Sequence, residues 1–338
     1  MSGERWRKVA GPVGHVPTGE KNAITDVPGV RVGHAQAGSG QRSGVTVVAP
    51  PFLPTPAATA TVNGVGELTA KLEIEERGVM ETPVYLCGSH AIGTVLQAAI
   101  SASGRGPEHI VLPVVGECDD GEMADSRTVT ADDVETARRN LGEQVAEGSV
   151  GAGTGMTCFD FPGGIGSASR KVGDHHVGVL LLCNFGDREY LDLPGLRLDQ
   201  ADRKADSQGS CIAVCATDAP MTPHQLRRLA LRPLLGLVRA GSYGGEGSGE
   251  IGIAFSTAAP DDSGSTPERP AAGGGIPWQQ MNPYLVAGWE AGWEAVYNCL
   301  LAARPAERLD GSMQDRFPVE RVRAAASRAI AAPDGENG

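Results

Sequence analysis

The chain has 338 residues, enough to bury a large core. Its 29 Lys and Arg against 41 Asp and Glu give a formal charge of −12, which argues against a nucleic-acid partner because phosphate recognition needs a basic surface. With 41% hydrophobic and 21% charged residues the chain is globular rather than disordered, and its 47 glycines and 23 prolines follow no period, so they mark tight turns rather than collagen.

Residues 1–21 are polar and mixed; they predict a poorly held lead-in and contain no apolar stretch of the secretory kind. From Asn22 the text changes. NAITDVPGVRVGH and RSGVTVVAP are short β-branched runs separated by Gly and Pro turns, which predicts paired strands. Ser89 is placed to cap a helix through HAIGTVLQAAIS, and HIVLPVV (109–115) has the composition of a buried strand. Thr130 with Asp133 opens a helix expected to run to a stop at Gly148. GGIGSAS, HHVGVLLLCNFG and SCIAVCATDAP predict three more strands around a polar segment, 186–209.

Thr222 and Gln225 form a capping box with Pro223 at the first helical position; Gly241 stops that helix, and Pro233 is expected to kink or divide it. The turn GSYGGEGSGE leads into the strand IGIAFST. Residues 258–282 predict a surface loop, YLVAGWEAGWEAVYNCLLAA a last helix, and the tail past Ala331 a frayed end. Strands and helices alternate irregularly without a repeat, which favours one mixed, layered α/β domain over a doubly wound parallel sheet. The longest apolar run, Val177–Cys183, is too short to span a bilayer. The seven cysteines sit mostly in apolar contexts and read as reduced core thiols, so a cytoplasmic protein with no membrane partner is expected.

Several motifs are absent. Ser242 and Ser248 lack the glycine frame of a nucleophile elbow, and no phosphate loop of the G-x-x-x-x-G-K-[ST] kind appears. VGAGTGM (150–156) follows a helix and a turn rather than a strand, so its glycines suit close backbone packing or an oxyanion-type nest better than a dinucleotide. The cluster Glu117, Asp119, Asp120, Glu122 and Asp125 reads as a solvated acidic loop rather than a hard-cation site. His175 and His176 are adjacent and on a strand point to opposite faces; Cys211 and Cys215 read as core. Neither a metal nor another cofactor is expected.

The segment GGEGSGEIGIAFST carries the chemistry. A serine between glycines before an apolar strand is ordinarily a flexible turn. If the Gly247–Ser248 bond is cut, however, Ser248 gains an α-amine with an unperturbed pKa near ~8 that can take its own hydroxyl proton, so no histidine is needed. Gly247, without a Cβ, can adopt the geometry in which that hydroxyl attacks the preceding carbonyl.

The ordered set NAITDVPGVRVGH, RSGVTVV, NGVGELT, IEERG, SHAIGTV, VGAGTGM, GGIGSASR, VGVLLLCNFG, ATDAPMTPHQLRRLA and GSGEIGIAFST, from about Asn22 to Ala303, resembles the DmpA-type L-aminopeptidase/D-esterase family, which includes β-peptidyl aminopeptidases. The resemblance implies an N-terminal-nucleophile hydrolase with an αββα sandwich, related in architecture to ornithine acetyltransferases. It implies self-cleavage into an α chain 1–247 and a β chain 248–338, and αβ pairs assembled into a homo-oligomer acting on small molecules or short peptides. Ser248 becomes the nucleophile. Asn184, on residue reading alone a strand-end turn former, becomes the oxyanion donor. WEAGWEA carries Glu290 and Glu294 across, with Glu290 facing the nucleophile to bind a substrate amine or orient that of Ser248. Gly153, Thr154, Gly155 and Gly288 fall on the substrate side. Three departures stand out: no tyrosine in Cys118–Met123, Gly288 where relatives often carry serine, and Pro162 where some carry lysine. An acyltransferase of the ornithine-acetyltransferase type and a degenerate binding relative are the alternatives; the former normally uses threonine where this chain has Ser248.

Overall fold

The computed structural model describes residues 4–37, 42–198, 209–258 and 275–331, so most of the predicted 258–282 loop, part of the polar 186–209 segment and the tail past Ala331 lie outside the described residues. Helix α1 (Trp6–Ala10) comes first, followed by the antiparallel pair β1 (Arg31–Gln36) and β2 (Gly44–Ala49), as the alternating text predicts. Then come β3 (Thr55–Gly64), α2 (Lys71–Arg77), β4 (Val79–Met80), β5 (Val84–Gly88), α3 (Ile92–Ala102) and β6 (Val114–Cys118). After α4 (Ala131–Arg139), a small ribbon of β7 (Thr157–Cys158) and β8 (Phe161–Pro162) precedes β9 (Gly164–Val172), β10 (His175–Asn184) and β11 (Ser210–Thr217). The chain ends with α5 (Pro223–Ala240), β12 (Gly249–Ser256), α6 (Met281–Ala302) and α7 (Val319–Ala331).

The strands form two main sheets, β1-β2-β5-β6 and β4-β3-β12-β11-β10-β9. Strand parity sorts their side chains into three apolar layers. Val48, Val84, Leu86 and Val114 meet Leu180, Leu182, Ile212, Val214, Ile253 and Phe255 between the sheets. Val45, Val47, Tyr85 and Val115 pack on α3 and α4. Val179, Leu181, Ala213, Cys215 and Ala254 pack on α5 and α6. The result is the expected αββα order of layers. All seven cysteines are buried and unpaired.

Several local expectations need correction. The lead-in is tied down: Trp6 is 1% exposed and stacks on Tyr297, and Arg5 donates to the carbonyls of Asn22 and Ser167. Helix α4 keeps its Thr130–Asp133 capping box but ends at Arg139, because the chain turns to bridge Gly142 to Val32 of β1. Ser89 caps nothing, since its hydroxyl donates to Glu117. The strand near 109–115 begins only at Val114, and Ile110 is exposed. Pro233 lies within a continuous α5, against Gly292 of α6.

Candidate active site

Ser248 stands one residue ahead of β12, a central strand flanked by β11 and β3. Parallel pairing sets Gly249 beside Ser210, and antiparallel pairing sets Ser210 beside Asn184, so the Ser248 segment and Asn184 share one end of the large sheet, two strands apart. At normal spacing that is about 10 Å between backbones. The turn before Ser248 is held from both sides. The Ser248 N–H donates to Gly245 O at 3.0 Å, the Val65 N–H donates to Ser248 O at 3.3 Å, and Asn63 Nδ2 donates to Gly245 O at 2.6 Å. Ser248 is buried but lines a crevice with Gly186, Asp187, Ser242 and Gly245.

The partner of the Ser248 hydroxyl is Glu250, whose Oε1 accepts from it. Two residues apart at the start of a strand, the side chains lie on the same face. Glu250 is buried, which raises its carboxyl above the ordinary value while the Ser248 bond pulls the other way. A second buried carboxylate approaches from the other sheet. Glu117, near the end of β6, accepts from the Glu67 N–H at 2.8 Å and from the Ser89 hydroxyl. Gly66 packs between it and the Ser248 segment: a Cβ there would stand 3.2 Å from Glu117 Oε1 and 3.7 Å from Gly249 Cα.

Asn184 closes β10 with its amide already engaged. Nδ2 donates to Asp119 O at 2.8 Å, and Oδ1 accepts from the Thr157 N–H at 2.9 Å. The parity that sends Leu180 and Leu182 between the sheets sends Asn184 there too. The 117–125 segment is solvated only in part: Asp119 and Glu122 are exposed, whereas Glu117 and Asp120 are buried, and Asp120 accepts from the Ser43 hydroxyl at 2.7 Å.

Other expected site residues fall elsewhere. A Cβ on Gly153 would stand 2.6 Å from Gly164 Cα, and one on Gly155 would stand 2.5 Å from Arg42 O. Thr154 Oγ1 donates to Gly151 O. The two glycines allow close backbone packing, the Thr154 hydroxyl is used within the same turn, and the link from this turn to the site is Thr157, the partner of Asn184. Gly288 meets Leu229 and Arg232 at the α5–α6 contact rather than a substrate face.

Glu290 requires the largest correction. It accepts from the N–H groups of His15 and Val16 at 2.7 and 2.9 Å and pairs with Arg170 at 3.1 Å, while Glu294 pairs with Arg170 and Arg7. Arg170 pairs across to Val177, Val177 to Thr217 and Thr217 to Ser256, a line at the far end of the sheet from Ser248. Seven residues of strand separate the two lines, on the order of 20 Å. Helical spacing put Glu290 and Glu294 on one face, but that face meets the N-terminal segment.

Sequence reasoning passed over Glu250 and took Glu117 only as part of an acidic loop. Period-two alternation from Ser248 could have found Glu250. Glu117 had no local signal, because only the stacking of two sheets brings it close.

Residues 22–314 match the peptidase family S58. The chain is 35% identical to the β-peptidyl aminopeptidase of Sphingosinicella microcystinivorans, over 95% of this chain and 91% of that one. Its fold superposes on a Burkholderia sp. β-aminopeptidase with a TM-score of 0.85 at 35% identity, covering 98% and 100% of the two chains. It also superposes on the L-aminopeptidase D-Ala-esterase/amidase of Ochrobactrum anthropi with a TM-score of 0.83 at 33% identity, covering 96% and 99%. That protein is described as a prototype of the serine aminopeptidases and a variant of the N-terminal-nucleophile hydrolase fold. The four layers seen here are that variant. Among the described residues no helix is long and apolar enough to cross a membrane.

Proposed function

The chain belongs to peptidase family S58 and is a serine aminopeptidase of the N-terminal-nucleophile type; from that premise we propose that it matures by cleavage between Gly247 and Ser248. The mature enzyme would then release N-terminal residues from short peptides and small amides, β-amino residues among them. The observation that carries this reading is the placement of Ser248: buried, held in a turn at the head of a central strand, its hydroxyl bonded to a carboxylate.

After cleavage the hydroxyl and the new α-amine belong to one residue. The amine takes the hydroxyl proton as Oγ attacks the substrate carbonyl, returns it to the leaving amine, and later activates the water that releases the acyl group. Asn184 supports the oxyanion through its amide, which lies at the same sheet end and donates now to Asp119 O. Glu117 takes over the role expected of Glu290. It is a fixed carboxylate reached from the second sheet, with Gly66 between it and Gly249, and it can pair with the ammonium of a substrate's N-terminus. The same reading puts the enzyme in the cytoplasm as an oligomer of αβ pairs, with Ile110 and Trp278, both exposed, as apolar contact material.

Intact mass and a denaturing gel of fresh protein test it. Two fragments meeting at residues 247 and 248, and one whole inactive chain for Ser248→Ala, are expected. A wild-type chain that stays whole after long incubation would make this a binding relative instead.

A further inference from the structure

Before cleavage, the nitrogen that later acts as base is a peptide N–H, donated to Gly245 O at 3.0 Å. It cannot accept a proton. The group bonded to the Ser248 hydroxyl is the Glu250 carboxylate, buried at 3% exposure, whose Oε2 has no hydrogen-bond partner among the described residues. No arginine or lysine pairs with Glu250 there, in contrast to Glu290 and Glu294 on their arginines. A buried carboxylate held by one hydroxyl and little else is costly for stability alone. Its geometry is that of a base waiting on one proton.

We propose that Glu250 is the general base of maturation, a role distinct from that of the α-amine in turnover; this rests on the cleavage proposed above. Glu250 takes the Oγ proton as Oγ bonds to the Gly247 carbonyl carbon. The tetrahedral adduct collapses, the bond from Gly247 C to Ser248 N breaks, and Glu250 returns the proton to that nitrogen. Gly247 is now esterified to Oγ. One water hydrolyses the ester, leaving a Gly247 carboxylate and a Ser248 with free hydroxyl and amine. Gly249 between the two side chains has no room for a Cβ, which would stand 2.3 Å from Val65 O, so the pair is held at fixed backbone spacing.

The neighbours of Glu250 leave the proton to it. Cys211 faces it from β11, and burial pushes that thiol up, so it stays neutral. Asn63 faces it from β3 and does not titrate; the preceding turn contributes the backbone of Gly244. Glu117 lies behind Gly66 beyond Gly249, and Asp187 across the crevice accepts from the Tyr243 hydroxyl. Burial raises the Glu250 carboxyl, so cleavage should quicken with pH along a midpoint above the ordinary glutamate value.

A cell-free translation time course, read by gel and intact mass, decides the matter with wild type, Ser248→Ala, Glu250→Gln and Glu250→Ala. Glu250→Gln should stay folded, with a melting temperature like that of the Ser248→Ala precursor, and be cut about 100-fold or more slowly. Glu250→Ala should be slow but accelerated by added formate or acetate. Wild-type cleavage at wild-type pace in Glu250→Gln, no rescue of folded Glu250→Ala, or a wild-type cleavage rate flat in pH would each overturn the assignment. The pH profile needs no variant and so stands even where a substitution unfolds the chain. A wild-type chain that is never cut would instead sink the maturation reading itself, and this proposal with it.

Discussion

Glu290 and Asn184 show how far a side chain's role depends on what covers it. Glu290 lies on α6 with 1% exposure, between two backbone amides and Arg170. Removing one member of a buried ion cluster typically costs about 3–5 kcal/mol, because the remaining charge is left short of a partner. Glu290→Gln should therefore lower the unfolding free energy measured by urea titration by an amount in that range, or somewhat less since Glu294 stays on Arg170, while kcat/KM on a free-amine anilide remains within about twofold. A selective fall in turnover with unchanged stability would return Glu290 to the active site. Asn184→Ala is the opposite case. If its amide supports the oxyanion, kcat should fall by roughly 10²–10³ with KM little changed. The lost bonds to Asp119 and Thr157 should cost only about 1–3 kcal/mol of stability. Normal specific activity in a destabilised variant would leave Asn184 as a tie between loops. Ser248 stood out in the sequence because its signal is contiguous, a serine among glycines before a strand. The placement of the carboxylates was not legible there, because Glu117 arrives from another sheet and Glu290 is claimed by the backbone of His15 and Val16, 275 and 274 positions earlier.

Elements were legible where their signals are local. The capping boxes at Thr130 and Thr222 start their helices as written, since each pairs a hydroxyl with a backbone N–H three residues on. Helix ends set by tertiary pairing were not: nothing in RRNLGEQ announces that Gly142 will bridge to Val32. Pro233 was misjudged for a similar reason. Packing of α5 against α6 outweighs the lost hydrogen bond, and the two axes approach closely at glycines. A Cβ on Gly236 would stand 2.5 Å from Trp293 N, and one on Gly292 would stand 2.5 Å from Pro233 Cα. Both are backbone contacts that cannot swing aside. Gly292→Val should thus destabilise by about 1–3 kcal/mol or more from overpacking. Gly93 in α3, whose Cβ would meet nothing within 4 Å, is the matched control. Gly93→Ala should stabilise by up to about 1 kcal/mol through helix propensity. Equal effects of the two substitutions in chemical denaturation would show that the α5–α6 contact is looser than described.

Across the whole molecule, the order of layers followed from strand and helix periodicity together with the family resemblance. How the layers are pinned did not, because the pins join distant segments. Two of them titrate in opposite senses. His34 of β1 shares a hydrogen bond with Thr46 of β2, which in turn accepts from Ala152 N; burial lowers the His34 pKa to about 4. Glu147 pairs with Arg5 at 2.9 Å and accepts from the Ser167 N–H, joining the N-terminal segment to β9. Burial outweighs that ion pair and raises the Glu147 pKa to about 7. The signs follow from proton counts. Between the ordinary glutamate value of 4.5 and the ordinary histidine value of 6.5, the folded chain holds nearly one proton more at Glu147 than the unfolded chain does, and nearly one fewer at His34. Their contributions to the slope of stability against pH, each up to about 1.4 kcal/mol per pH unit, nearly cancel in the wild type. His34→Gln should leave the Glu147 slope exposed, so stability falls as pH rises from 4.5 to about 7. Glu147→Gln should leave the His34 slope, so stability rises as pH climbs from about 4 to 6.5. Urea unfolding of both variants at a series of pH values, each referred to wild type at the same pH, reads the difference directly. A difference curve flat in pH for either variant would mean that its pin is hydrated in the folded protein and titrates near its ordinary value.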